Sequence, residues 1–101
     1  MSDEQKTWYG LFHVVGMDGM IISEVASFNG AAYMLVEPMV IVARSANELG
    51  FFRYSPFAEE LKPIALFSDN VVSLSTPSEK IIAGYIMSRA AKDGPIPEVL
   101  H

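Results

Sequence analysis

Side chains able to do chemistry are few in this 101-residue chain, and they are scattered. Histidine occurs only at His13 and His101. A general base must sit within hydrogen-bond reach of the proton it takes. His13, between Phe12 and Val14 in an apolar run, reads instead as a packed or solvent-facing strand residue. Glu59-Glu60 is an adjacent carboxylate pair, but neighbours in a loop seldom converge on one bond as paired catalytic carboxylates must. Asp18, Asp69 and Asp93 stand in turn contexts, where carboxylates bond the local backbone. Cysteine is absent, which excludes disulfides, thiolate zinc sites and thiol nucleophiles. No glycine-rich phosphate loop, nucleophile–base pair or metal-ligand spacing occurs. The expectation is a protein that works by binding: no enzyme, no catalytic residue, no metal and no cofactor.

Charge and composition limit what it binds. Twelve acidic residues against 7 basic ones give a net charge of −5. The bases Lys6, Arg44, Arg53, Lys62, Lys80, Arg89 and Lys92 are dispersed, so no footprint for duplex DNA forms. Half of the residues are hydrophobic and only 19% are charged, with a mean hydropathy of +0.27. No membrane span explains this. The longest uncharged run, Val25 to Val36, has 12 residues, short of the roughly 20 that a span needs. The polar, acidic opening from Met1 to Lys6 resembles neither a signal nor a transit sequence. The expectation is one cytoplasmic domain over residues 1–101. A chain of this size buries roughly 60–65% of its unfolded surface, and the surplus apolar surface is expected to lie against copies of itself or a partner.

The elements that position these residues read as strands first and a helix last. Trp8 to Val15 is aromatic and β-branched and ends at Gly16-Met17-Asp18-Gly19, a hairpin signal because both residues of Asp-Gly tolerate positive φ. Met20 to Ser27 returns, and Asn29-Gly30 turns again. Ala32 to Ala43 is apolar on both faces, so it is expected to be covered on both. Its even positions Met34, Val36, Val40 and Val42 are expected to face the core, with a bulge or bend at Pro38. The fourth strand, Leu49 to Tyr54, is interrupted at Ser55-Pro56 and resumes over Ile64 to Phe67; Phe57 to Lys62 is a helical turn or irregular loop. Val71 to Ser75 is the fifth strand. Thr76-Pro77-Ser78-Glu79 reads as a capping box with Thr76 as the cap and Pro77 first in the helix. Ile81, Ile82, Tyr85, Ile86 and Ala90 then repeat at helical spacing. Arg89 and Lys92 are expected on the polar side, and Asp93-Gly94 is expected to close the helix. The fold class is mainly β: a small, strongly bent five-stranded barrel over about 8–75, with one C-terminal α-helix over about 77–92.

Two segments resemble the Sm-like family. Asp18-Gly19-Met20-Ile21-Ile22, then Phe28-Asn29-Gly30-Ala31-Ala32-Tyr33-Met34-Leu35-Val36, resembles the first Sm motif. Leu66-Phe67-Ser68-Asp69-Asn70-Val71-Val72-Ser73-Leu74 resembles the second. The positions of the family's RNA-pocket asparagine and arginine read Tyr33 and Phe67; the motif aspartate reads Asn29, and a motif glycine reads Ser68. The helix is C-terminal, whereas typical Sm proteins carry theirs at the N-terminus. The pattern is similar to short Sm-like proteins of tailed phages, cyanophages among them, which would place the chain in the cytoplasm of a host cell. The resemblance implies an Sm-like barrel assembled into a homo-oligomeric ring of five to seven copies, with a pentamer favoured by the phage-type pattern.

The resemblance also implies where partners attach. Sm-like subunits pair the fourth strand of one copy with the fifth of the next. This would place Phe51, Phe52, Ile64, Leu66, Val71, Val72 and Leu74 at the oligomer interface. Single-stranded RNA is the ligand that the family implies, and Tyr33, Phe67, Asn70 and Asn29 are the candidates to meet it. Aromatic faces stack on bases without sequence selectivity. The acidic charge and the altered pocket positions favour the alternative, a ring that serves as a protein-interaction or assembly module with no RNA affinity.

Overall fold

Aromatic and β-branched runs punctuated by glycine turns fold here into strands. A computed structural model of the chain describes residues 8–46, 48–56, 58–59 and 62–91. The elements in chain order are β1 (Trp8–Val14), β2 (Met20–Phe28), β3 (Ala32–Ser45), β4 (Glu48–Arg53), β5 (Ile64–Phe67), β6 (Val71–Ser75) and α1 (Glu79–Ala91). One turn of 3₁₀ helix, Ser68–Asn70, joins β5 to β6. The described strands form one antiparallel sheet in the order β4-β3-β2-β1-β6, with β5 on β3.

Six strands replace the expected five because the fourth is two. β3 is long enough to carry two partners on the edge opposite β2. β5 pairs with Ala32–Leu35 and β4 with Met39–Ser45. Between them, Ala58 N–H donates to the Ser55 carbonyl at 3.1 Å and Lys62 N–H to that of Glu59 at 3.4 Å; Phe57, Glu60 and Leu61 lie outside the described residues. The sheet is open. β6 lies at one end and β4 at the other, and no described pairing joins β6 to β4 or β5. It nevertheless bends enough for Leu66 of β5 to share a core with Phe12, Val14, Ile21, Val25 and Leu35, with Val71 of β6 packed against them.

A second core lies on the other face, under the helix, where Ile22, Met39 and Tyr85 pack with Tyr9, Leu11, Ile41, Phe51 and Ile81. β3 contributes to both cores, as its two apolar faces require. The residues it buries differ from the even set, however. Ala32, Leu35, Pro38 and Met39 are buried, Met34, Val36 and Val40 are half-buried, and Val42 is exposed. The cause is the bulge next to Pro38. The β2–β3 register shifts between Ile22 and Glu24, opposite Met39 and Val36. The extra residue inverts the alternation beyond it. Glu37 in this bulge has φ +52°, a left-handed conformation that glycine usually supplies.

Local signals at two turns act differently from the expectation. In the β1–β2 turn it is Gly16 that takes positive φ, at +83°, while Asp18 does not. Gly19 serves a close approach: a Cβ there would lie 2.7 Å from the Ile41 carbonyl oxygen. At the helix, Ser78 rather than Thr76 caps, its hydroxyl accepting from Ile81 N–H at 3.3 Å. Pro77 is buried just before it, outside the first turn. α1 buries Tyr85 and half-buries Ile81 and Ile82, but Ile86 and Ala90 face outward. Asp93-Gly94 and Lys92 lie outside the described residues.

Candidate functional site

The aromatic candidates do not form one platform. Tyr33 pairs across from Leu66 and Phe67 across from Ala32, so the two rings stand on opposite faces of the sheet. Tyr33 is held edge-on by Phe12 at a centroid distance of 5.2 Å and is stacked on Phe28 at 4.3 Å. Phe67 is 56% exposed. Asn29 lies in the turn beside Phe67, since Ser68 N–H donates to the Ala31 carbonyl at 2.8 Å. The Asn29 side-chain oxygen is engaged there, accepting from the backbone N–H groups of Ala31 and Ala32 at 2.8 Å each. Asn70 is exposed elsewhere, its carbonyl accepting from Val15 N–H at 2.9 Å. Half-exposed Phe28 is an aromatic that sequence reading missed; its place opposite Tyr33 across the Asn29-Gly30 turn was the available signal.

Among the described residues, the cations do not gather around these rings. Arg44 lies over the Phe52 ring at 5.4 Å, at the far end of β3. Arg53 follows Phe52 in β4 and so points to the other face. Arg53 and Lys62 line a recess of about 10 Å³ together with Glu37 and Glu59, no more than a single water needs. His13 is half-buried in β1, and His101 and Glu60 fall outside the described residues. Among the described residues, no three His, Asp or Glu side chains are grouped to hold a metal.

The expected interface residues divide into two groups. Leu66 and Val71 belong to the first core, and Phe51 packs in the second beneath α1; Ile64 is half-buried at the start of β5. Phe52, Val72 and Leu74 are exposed, Val72 by 58%. They lie on or beside the two edges that the described residues leave unpaired: the outer edge of β6, and the outer edge made of β5 and β4. Exposed apolar side chains flanking unpaired backbone donors and acceptors template the addition of another strand.

A polar cluster joins the helix to the sheet between these edges. The Tyr85 hydroxyl lies 2.8 Å from the Val36 carbonyl and 3.1 Å from that of Glu37, and it accepts from Glu24 N–H at 3.0 Å. Arg89 donates to the Glu24 carboxylate through Nη1 at 2.8 Å and to the Glu37 carboxylate through Nε at 3.0 Å. The Glu37 side chain is only 6% exposed. Burial pushes the Tyr85 phenol up, against the Glu24 amide and the Arg89 charge, which favour its ionised form. Burial works against the Arg89 charge, yet its bonds to Glu24 and Glu37 and the Tyr85 partner raise its pKa overall. Arg89, expected on the polar side, is turned into the protein. The helical spacing of Tyr85 and Arg89, one turn apart, was the signal that they share a face.

Among the described residues, no helix is long and apolar enough to cross a membrane. No protein-family model matches this chain, and no curated protein matches it significantly.

Proposed function

We propose that this chain is a non-catalytic, Sm-like subunit that joins its own copies edge to edge into a homo-oligomeric ring of five to seven, and that the ring serves as an assembly or protein-interaction module. The observation that carries this reading is the pair of sheet edges left unpaired among the described residues, β6 at one end and β5 with β4 at the other, each with exposed apolar side chains. Pairing β6 of one copy with β5 of the next satisfies the β6 edge and the β5 part of the other edge, and buries Val72 and Phe67 at about 25 cal/mol per Å². The contact is head-to-tail, so it closes only as a ring. Strand order, the bend around one core and the short β5–β6 connection support the Sm-like reading, in which the barrel is completed around that bend. The phage-type resemblance favours five copies.

Single-stranded RNA is the second reading, favoured by exposed Phe28 and Phe67 on either side of the Asn29 turn. Against it stand the inward position of Tyr33 and the accumulated charge. Five copies at −5 each carry −25, and that field repels phosphate.

Edge variants test the assembly. Val72→Lys is expected to disable the β6 edge, and Phe52→Lys with Phe67→Lys the β5–β4 edge, leaving folded monomers in sedimentation. Mixing the two variants should restore one good contact and give a dimer that goes no further. Rings surviving in both variants, or a mixture that stays monomeric, contradict head-to-tail pairing. Titration of uridine-rich and adenine-rich single strands at low salt, where electrostatic attraction is least screened, should show no binding. Binding that Phe67→Ala weakens establishes the RNA reading instead.

A further inference from the structure

We propose that Tyr85 and Arg89 set how many copies close the ring, by locking the β3 bulge that lies between the two docking edges. The inference rests on the ring reading above.

Strand pairings connect one edge to the other across the sheet. β6 pairs with β1 over Leu11 to Val14. Leu11 and Phe12 pair with Ile22 and Ile21 of β2, which pair in turn with Met39 and Val40 of β3. β5, however, is attached to β3 at Ala32–Leu35, on the other side of Val36, Glu37 and Pro38. Along the sheet the two edges are thus joined through the bulge, besides their direct link by the Ser68–Asn70 turn, and its bend enters into the angle between them. Bulges bend a strand and increase its twist. Closing a ring of five copies needs a rotation of about 72° per copy and a ring of six about 60°, so a change of about 12° alters the number that fits. Phe67, on β5, is the most exposed large apolar residue of the β5–β4 edge, which makes β5 the segment that a neighbouring β6 meets first.

The bulge does not hold this geometry through its own backbone preference. Glu37 sits at φ +52°, where a non-glycine residue is uncommon. What holds it is the helix. Arg89 grips the Glu37 carboxylate on β3 and the Glu24 carboxylate on β2, so one guanidinium fixes both strands of the bulge. Tyr85 binds the carbonyls of Val36 and Glu37 on one strand and the amide of Glu24 on the other. Ser23, fully buried at the register shift, places its hydroxyl 2.8 Å from the Glu24 carbonyl and 3.2 Å from that of Val36. Every one of these contacts would persist in a monomer. Their consequence for assembly comes from where the bulge lies.

Native mass spectrometry of wild type, Tyr85→Phe, Arg89→Met, Arg89→Lys and Glu37→Gly tests the inference, with circular dichroism to verify folding. Wild type should show a single ring size. Tyr85→Phe and Arg89→Met should spread into two or more sizes, open chains or folded monomers, and Arg89→Lys should be narrower than Arg89→Met. Glu37→Gly keeps φ +52° accessible without the latch, so it should fold while its ring-size distribution broadens. If Arg89→Met fails to fold, Tyr85→Phe and Glu37→Gly decide by the same readout. Folded variants that keep the single wild-type ring size, with only a lower unfolding midpoint, overturn the role in closure. A monomeric wild type overturns the ring reading, and this inference with it.

Discussion

Tyr85 carries more of the fold than any other single side chain on α1. It is fully buried, its ring meets Tyr9 edge-on at 5.9 Å, and its hydroxyl serves both strands of the bulge. Tyr85→Phe keeps the ring and removes the hydroxyl that these backbone groups share, while the Ser23 hydroxyl stays 3.2 Å from the Val36 carbonyl. Losing the hydroxyl should cost about 1–3 kcal/mol, read as a lower urea midpoint at unchanged slope; an unchanged midpoint contradicts the bonding described. The hydroxyl also predicts an alkaline weakness. Burial keeps the phenol protonated to higher pH in the folded chain than in the unfolded one, so ionisation favours unfolding. The contribution is intact below the unfolded value of about 10 and is lost as pH rises through the folded value. Urea midpoints between neutral pH and strongly alkaline pH should fall more steeply in wild type than in Tyr85→Phe, and equal slopes would contradict this. Sequence alone marked Tyr85 as an apolar helix position but carried no sign of its polar duty. That duty depends on carbonyls freed by a bulge 48 residues away from it.

At the scale of elements, the strands and the final helix were legible because their signals are local: β-branched runs, glycine turns and 3.6-residue spacing. Two features were not. β3 changes phase at Glu37, and no residue type marks this; Pro38 announced a bend without revealing which side chains it would invert. The fourth strand, expected to break at Ser55-Pro56 and resume at Ile64, lands on β3 at two places, which only the long-range register shows. The helix seats itself against β4 through a gap in its own surface. A Cβ on Gly84 would lie 2.7 Å from the Phe51 ring. In an open helix, Gly84→Ala gains about 1 kcal/mol. Here the clash with Phe51 should reverse the sign, because overpacking costs about 1–3 kcal/mol. Thermal unfolding should begin at a lower temperature than in wild type; a rise in the midpoint would show that α1 does not lie tightly on Phe51.

At the scale of the whole molecule, the apolar composition has a place. Some of it forms the two cores, and the rest is displayed. Val72 and Phe67 lie along open edges, and Met87, exposed by 71%, lies on the outer side of α1. The sequence predicted the surplus and connected it with other copies of the chain. It did not foretell that Leu66 and Val71 would be used within one subunit, because an interface strand and a core strand are equally apolar. The RNA candidates were less legible still. Motif position placed Tyr33 and Phe67 together, whereas strand alternation separates them. The central claim, that open edges pair head-to-tail into a closed ring, is tested most directly by the mass of the wild-type protein in solution. Light scattering at micromolar concentration should give one species of five to seven times 11.1 kDa, with five favoured. A homogeneous species at 11.1 kDa would contradict it.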